Sequence, residues 1–236
     1  MNNSFLYHLI NKDPEKYMAI SGFFNNYPID DYIIVNDCAL IEGKSDRKWK
    51  HLIASNIDEL NCLLEKIDLQ KANFYGVENW VREYLELNHH VEKIFPTMRY
   101  IFPHSTVSFE QDHEVNSLIS EDADHIYSHS DYKDVTPVHY IEERIQNGIS
   151  SGIRLDGVLV AWGITHDDGA LGFLNVLPEY RMNGLARSIM INMISQVLKQ
   201  NKTPFANIVI GNEAPMRLVE TFGFKYDRPL NWVQLK

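Results

Sequence analysis

The sequence predicts a mixed α/β protein of two lobes, each a sheet carrying helices on its faces. Three features carry that reading. Asp156-Gly157 and Asp167-Asp168-Gly169 each sit between apolar runs, which is the signature of two successive β-hairpins. Beyond them, Leu185, Ala186, Ile189, Met190, Met193, Ile194, Val197 and Leu198 form a two-residue stripe recurring every four, as in an amphipathic helix packed on a sheet. The first hundred residues run through a looser version of the same order, although no residue identity supports a true internal repeat.

Taken along the chain, the pattern predicts a helix over about 14–25 and strands at about 32–35, 39–42 and 49–54. Asn36-Asp37 and Gly43 supply the turn residues between these strands. A helix follows over 57–66, a strand over 73–76, a helix over 78–87 and a strand over 90–101. Trp80, Tyr84 and Leu87 have helical spacing and read as core. The composition shifts near Ile101-Phe102-Pro103-His104-Ser105, which places a lobe boundary there: 1–105 and 106–236. The second lobe is predicted to open with helices over about 110–129 and 137–147, the latter stopped by Gly148. Strands up to Leu155 and over 158–165 and 170–176 make the hairpins. The long helix starts at Gly184, and a buried strand covers 205–210. Asn212 caps a short helix ending at Gly223, and strands at 224–227 and 231–235 close the chain. Trp162, Phe224, Tyr226 and Trp232 fall on strands and read as core or interface residues.

Composition narrows the function. Of 236 residues, 44% are apolar and 23% charged, as in an ordinary globular chain and unlike a disordered one. The net charge of −10 is spread over both lobes without a basic patch, which argues against nucleic acid or an anionic membrane as partner. No apolar run reaches membrane-spanning length. The first residues lack the basic and apolar regions of a signal peptide, so a cytoplasmic protein is expected. Cys38 and Cys62 fit no zinc or redox spacing and read as small buried apolar residues in a reducing compartment. His125, His129 and Asp131 lie close together but match no metal motif, so no metal is expected.

The stretch that carries chemistry is Val176-Leu177-Pro178-Glu179-Tyr180-Arg181-Met182-Asn183-Gly184-Leu185-Ala186. It leaves a buried strand, passes through a proline turn and enters the long helix. A helix start offers unpaired N–H groups and a partial positive charge. Gly184 would let an anion approach the backbone, and Arg181 adds a cation beside it. An isolated Arg-x-x-Gly-x-Ala is most simply a tight packing turn. Here it follows two hairpins and precedes a strand and an Asn-capped helix, which favours the anion site.

These residues resemble the GNAT superfamily of acyl-CoA-dependent N-acyltransferases. Arg181-x-x-Gly184-x-Ala186 matches its pyrophosphate loop, and Asn212-Glu213-Ala214 with Phe222-Gly223-Phe224 matches its last helix and strand. Leu177-Pro178-Glu179-Tyr180-Arg181 and Asn212-Glu213-Ala214 look most like the glycine N-acyltransferase group. The resemblance covers about 106–236 and is best over 150–224; the first lobe would be a smaller, degenerate GNAT-like one. It implies acetyl-CoA or another acyl-CoA as co-substrate. Leu174, Asn175 and Val176 would pair with the pantetheine arm. The amides of Met182, Asn183, Gly184, Leu185, Ala186 and Arg187 would hold the pyrophosphate beside Arg181. Asn212 would reach the pantetheine or sulfur, and an N–H near Val176 would stabilise the oxyanion.

Two positions depart from the pattern. Val219 stands where many members have a Tyr that protonates the leaving thiolate. Ala170 stands where the glycine N-acyltransferase group tends to have a Glu. The candidates for the missing base are His166, Asp167 and Asp168 in the preceding turn; the same Asp-Asp-Gly would equally serve as a solvated hairpin turn. Eight acidic residues and one Lys between Glu110 and Asp134 could form an entrance that attracts an amine, or a solvated helix face. The expected activity is acyl transfer, acetyl first, to a small, amino-acid-like amine; a homodimer is compatible with it. The rival readings are a catalytically weak acyl-CoA-binding regulatory module and an acetyltransferase of protein N-termini or lysines.

Overall fold

Strands β5 (Val91–Ile101) and β10 (Lys225–Leu235) each run through the boundary between two compact units. The computed structural model describes residues 4–134 and 136–236. One unit comprises the residues up to Arg99 together with Arg228–Lys236; the other is Tyr100–Asp227.

The first unit begins with α1 (Ser4–Asn11) and α2 (Met18–Asn26). An antiparallel meander follows: β1 (Ile29–Val35), β2 (Cys38–Lys44) and β3 (Lys48–Ile53). Then come α3 (Ile57–Leu64), β4 (Asn73–Val77) and α4 (Asn79–Asn88). The sheet order is β1-β2-β3-β4-β10-β5, so the last strand of the chain lies inside the sheet. Its two faces bury separate cores. Leu60, Leu63 and Phe74 centre one under α3 and α4. Leu6, Phe23 and Ile41 centre the other under α1 and α2. At about 25 cal/mol per Å2, a fully buried Leu or Phe contributes roughly 1.5–3 kcal/mol of apolar transfer.

The second unit carries α5 (Ala123–Ser128) and α6 (Val138–Asn147) ahead of an antiparallel three-stranded sheet of β6 (Ser150–Leu155), β7 (Val158–Thr165) and β8 (Leu171–Val176). Asp156 and Gly157 have φ of 50° and 81°, the positive values that a tight two-residue hairpin turn needs. Next come α7 (Leu185–Lys199), β9 (Phe205–Val209) and α8 (Glu213–Thr221). Ile189, Met193 and Ile194 of α7 are fully buried, so the sequence stripe faces the sheet as expected.

Several expectations need correction. The first helix does not begin near residue 14: α1 precedes it, and α2 starts at Met18 after the turn at Asp13-Pro14. Residues 110–118 are not helical. Asn116 exchanges both backbone hydrogen bonds with Gly152, at 2.9 and 2.7 Å, which draws this stretch to the edge of β6. The two final strands are one, because proline's fixed φ is compatible with an extended chain and β10 continues through Pro229. Leu87 is 85% exposed at the end of α4, whose buried face is Val81 and Leu85. Tyr226 is 55% exposed. Cys62 is exposed because α3 turns Leu60, Leu63 and Leu64 inward instead; Cys38 is buried.

Candidate functional site

Strands β8 and β9 are near neighbours in the second unit, yet β8 is the last strand of its three-stranded sheet and, among the described residues, does not pair with β9. At one end the Asp168 carboxylate in the β7–β8 turn accepts from Asn207 Nδ2 in β9 at 3.2 Å. Among the described residues no ladder joins them, so a gap with an open strand edge on each side lies between β8 and β9. Leu177 N–H donates to Val160 O at 2.9 Å, which turns the amides of Leu177 and Asn175 toward β7. Alternation then leaves Leu174 and Val176 on the open edge.

Strand β8 is also bulged. Trp162 faces Asn175 and Ile164 faces Gly172, so Phe173 and Leu174 together oppose the single residue Gly163. Phe173 has φ of 49°, unusual for an aromatic residue. The ring of His166 lies against Phe173, with centroids 4.7 Å apart, and fills the space where a Cβ on Gly172 would stand.

Beyond β8, the loop returns toward α7. Arg181 folds back, its Nε donating to Val176 O at 3.0 Å. Its charge thus sits at the mouth of the gap, and Val176 keeps its N–H, but not a free carbonyl, for a ligand. Gly184 is the N-cap of α7 with φ of 76°, and no side chain caps the helix. The first helical bond runs from Ser188 N–H to Gly184 O at 3.0 Å, leaving the amides of Leu185, Ala186 and Arg187 at the open end. No acidic residue occupies the first turn. Asn183 Nδ2 donates to Tyr180 O at 3.3 Å, and Met182 is fully exposed.

A segment that sequence reasoning made helical lies beside this helix start. His113 Nε2 is 2.8 Å from Asn183 O, and the Arg187 guanidinium stacks 5.1 Å from the Phe109 ring centroid. Asp112 brings a carboxylate oxygen within 3.8 Å of the point where a Gly184 Cβ would be. The acidic stretch thus reaches the start of α7.

The opposite end carries one residue the sequence did not flag, Tyr132. Asn212 is the N-cap of α8, but its side chain makes no capping bond; its Nδ2 donates to the Tyr132 hydroxyl at 3.4 Å. Asn175 Nδ2 donates to His129 O at 3.5 Å. Residues 129–132 therefore touch both β8 and the start of α8. Val219 is buried and carries no polar atom into the gap.

The turn candidates are buried rather than solvated. Asp167 and Asp168 are 4% and 1% exposed. Asp168 accepts from Ala170 N–H at 2.9 Å as well as from Asn207, and Asp167 accepts from Asp168 N–H at 3.1 Å. Burial, reinforced by the Arg144 cation, pushes the His166 pKa down to about 4. His166 is therefore neutral at neutral pH and a weak proton acceptor. Burial, with the Asp167 charge, raises the Tyr140 phenol well above its ordinary value. Among the described residues no group of three or more His, Cys, Asp or Glu could hold a metal, and no helix is long and apolar enough to cross a membrane.

Residues 147–233 match the family model of FR47-like proteins. No curated protein matches the chain. A Drosophila protein of known structure is 18% identical and superposes with a TM-score of 0.83, covering 100% of this chain and 97% of its own. A GCN5-related N-acetyltransferase from Kribbella flavida is 15% identical, with TM-score 0.57 over 91% of this chain and 92% of its own. An acetyltransferase of the GNAT family from Colwellia psychrerythraea is 13% identical, with TM-score 0.53 over 96% and 97%. The bulged strand, the gap beside it and the glycine-capped helix are thus set in a chain that has the fold of the GNAT acetyltransferases.

Proposed function

We propose that the Tyr100–Asp227 unit transfers an acyl group, acetyl first, from acyl-CoA to the amine of a small, amino-acid-like acceptor. The observation that carries this reading is the open gap between β8 and β9, lying beside a helix start whose cap is Gly184 rather than an acidic or hydroxyl side chain. The pantetheine arm would lie along the open edge at Leu174 and Val176, with Asn175 and Asn212 beside it. The pyrophosphate would sit on the amides of Met182 to Arg187, near Arg181.

In this reading the amine nitrogen attacks the thioester carbon, the C–S bond breaks, and the Val176 N–H steadies the oxyanion. Alignment of the two reactants is the main contribution, because a held amine gains several kcal/mol of effective concentration. The departing thiolate needs a proton, and Tyr132 beside Asn212 takes the role that Val219 cannot fill. The acceptor ammonium gives its proton to water. At a pKa of about 4, His166 could not retain it, so His166, Asp167 and Asp168 enter the proposal as the turn that shapes the bulge and closes the gap. Free thiols at Cys38 and Cys62 suit a reducing cytoplasm.

The second reading, an acyl-CoA-binding module with little turnover, is favoured by the buried Val219. Thermal shift with acetyl-CoA, longer acyl-CoAs and CoA, paired with thiol release over a panel of amines, decides between them. Stabilisation by acetyl-CoA with amine-dependent thiol release is expected. Stabilisation without release selects the binding module, and a melting curve unmoved by every CoA species removes both.

A further inference from the structure

The first unit contains a cavity of its own. Strands β3 and β4 are parallel, and their register holds one pair, Lys50 with Phe74. Past that pair, β3 continues through Leu52 to Ile53 and β4 through Gly76 to Val77, and a cavity of about 40 Å3 lies among these strand ends and the following Ala54 and Glu78. The cavity thus lies at the C-terminal ends of two parallel neighbouring strands, ahead of helices α3 and α4. Helix α3 is capped by its own side chains: Asn56 Oδ1 accepts from Glu59 N–H at 2.9 Å, and Glu59 Oε2 accepts from Ser55 N–H at 2.7 Å. Asp58 and Glu59 fill its first turn. A pyrophosphate would meet occupied amides and two carboxylates there.

The charge lies inside the cavity instead. Lys16, Arg99 and Arg228 line it, with Glu78 as the acidic lining residue. Glu78 receives Lys16 Nζ at 3.3 Å, Arg228 NH1 at 3.0 Å and Trp80 Nε1 at 3.0 Å, and these donors hold its carboxyl below the usual range against the opposing effect of burial. The Lys16 and Arg228 side chains are 21% and 25% exposed, so solvent reaches them. Gly76, with φ of 57°, has no atom within 4 Å of where its Cβ would be, so open space stands against its backbone. Ile20, Leu52 and Val81 supply apolar wall.

We propose that this cavity is a binding site for a small organic monocarboxylate with a short apolar body. The lining carries more positive than negative groups, which favours an anion. The volume admits about three water-sized positions, which suits a carboxylate with a short carbon tail. The carboxylate would be taken by Lys16 and Arg228 beside Glu78, as a charge-assisted pair, and the carbon tail by Ile20 and Leu52. This proposal is independent of acyl transfer in the second unit.

The test titrates the full chain with sodium propionate, against sodium chloride at equal ionic strength, by calorimetry and thermal shift. Saturable binding of propionate is expected, weakened at least tenfold in Lys16→Met, which removes the cation and keeps the stem. Glu78→Gln, which removes the competing carboxylate, is expected to tighten it severalfold. Acetyl-CoA titrations of the same variants should be unchanged, which separates this site from the other. Propionate indistinguishable from chloride, or bound equally by a folded Lys16→Met protein, overturns the proposal and leaves Lys16, Glu78 and Arg228 as a structural ion network. Should Glu78→Gln fail to fold, the Lys16→Met comparison alone decides.

Discussion

Gly184 ties a left-handed backbone conformation to the pyrophosphate position proposed for the start of α7. Its φ of 76° places it in the left-handed region, while the space around its missing Cβ is open to 3.6 Å. A side chain there costs backbone strain rather than a clash, about 1–2 kcal/mol, and least for Asn or Asp. Gly184→Asn should therefore lower the melting temperature by about 2–4 °C and leave much of the acetyl-CoA response in place. Gly184→Asp should match it in stability and lose at least tenfold in affinity, since its carboxylate joins Asp112 against the phosphates. Equal affinities for the two variants would remove the pyrophosphate from this helix start. Asp112→Asn tests the same charge from the opposite direction: acetyl-CoA should bind about two- to tenfold more tightly, and calorimetry showing no gain would mean that Asp112 swings clear. For Tyr132→Phe, thiol release should fall by roughly 100-fold or more, the usual scale for a lost general acid, with acetyl-CoA affinity held within about twofold. A proportional loss of both would make Tyr132 a positioning residue for Asn212. The Gly184 loop was readable in the sequence because its residues are contiguous. Tyr132 and Asp112 were not, because each meets its partner across 80 and 72 positions of chain and has no motif of its own.

At the scale of elements, the bulge in β8 is the part most exposed to small changes. A methyl group on Gly172 would come within 2.1 Å of the His166 ring. Gly172→Ala should force the ring aside, cost about 1–3 kcal/mol as an overpacked contact, and weaken acyl-CoA binding by distorting the open edge. A stable variant with unaltered affinity would show that the bulge absorbs the methyl group. Hairpins and long helices were legible because turn residues and 3.6-residue periodicity are local signals. The 110–118 stretch was misjudged for the matching reason. Its acidic residues suit a solvated helix, but the bonds that decide its conformation come from Gly152, far along the chain. The bulge also escaped the sequence, since a register shift belongs to a pair of strands and not to either one.

For the molecule as a whole, two buried histidines set the acid limit. His51 lies among Phe23, Phe24 and Tyr75, and neither ring nitrogen has a hydrogen-bond partner among the described residues. Burial pushes its pKa down to about 3, and that of His166 to about 4. Because both folded-state values lie below the unfolded value of about 6.5, the unfolded chain binds protons first as pH falls. Stability should hold above pH 6.5 and decline from there toward pH 4 for His166 and pH 3 for His51, by on the order of 3 kcal/mol each or more. His51→Phe should raise the melting temperature and flatten part of that decline. Denaturation midpoints between pH 4 and 7 that keep the wild-type slope would refute His51's share.

Strand β10 connects this picture to the order in which the protein is made. In the first unit it lies between β4 and β5. Its end is bound on both sides: Lys236 N–H donates to His90 O at 3.0 Å, and Lys236 O accepts from Lys71 N–H at 3.1 Å. As the chain emerges from the ribosome, β4 and β5 are complete long before the strand that separates them exists. The Tyr100–Asp227 unit has its full sequence sooner than the N-terminal one, although it is synthesised later. Until β10 has been made the nascent first unit holds two half-finished sheet edges apart, and a chaperone that shields bare edges would have its longest occupancy there.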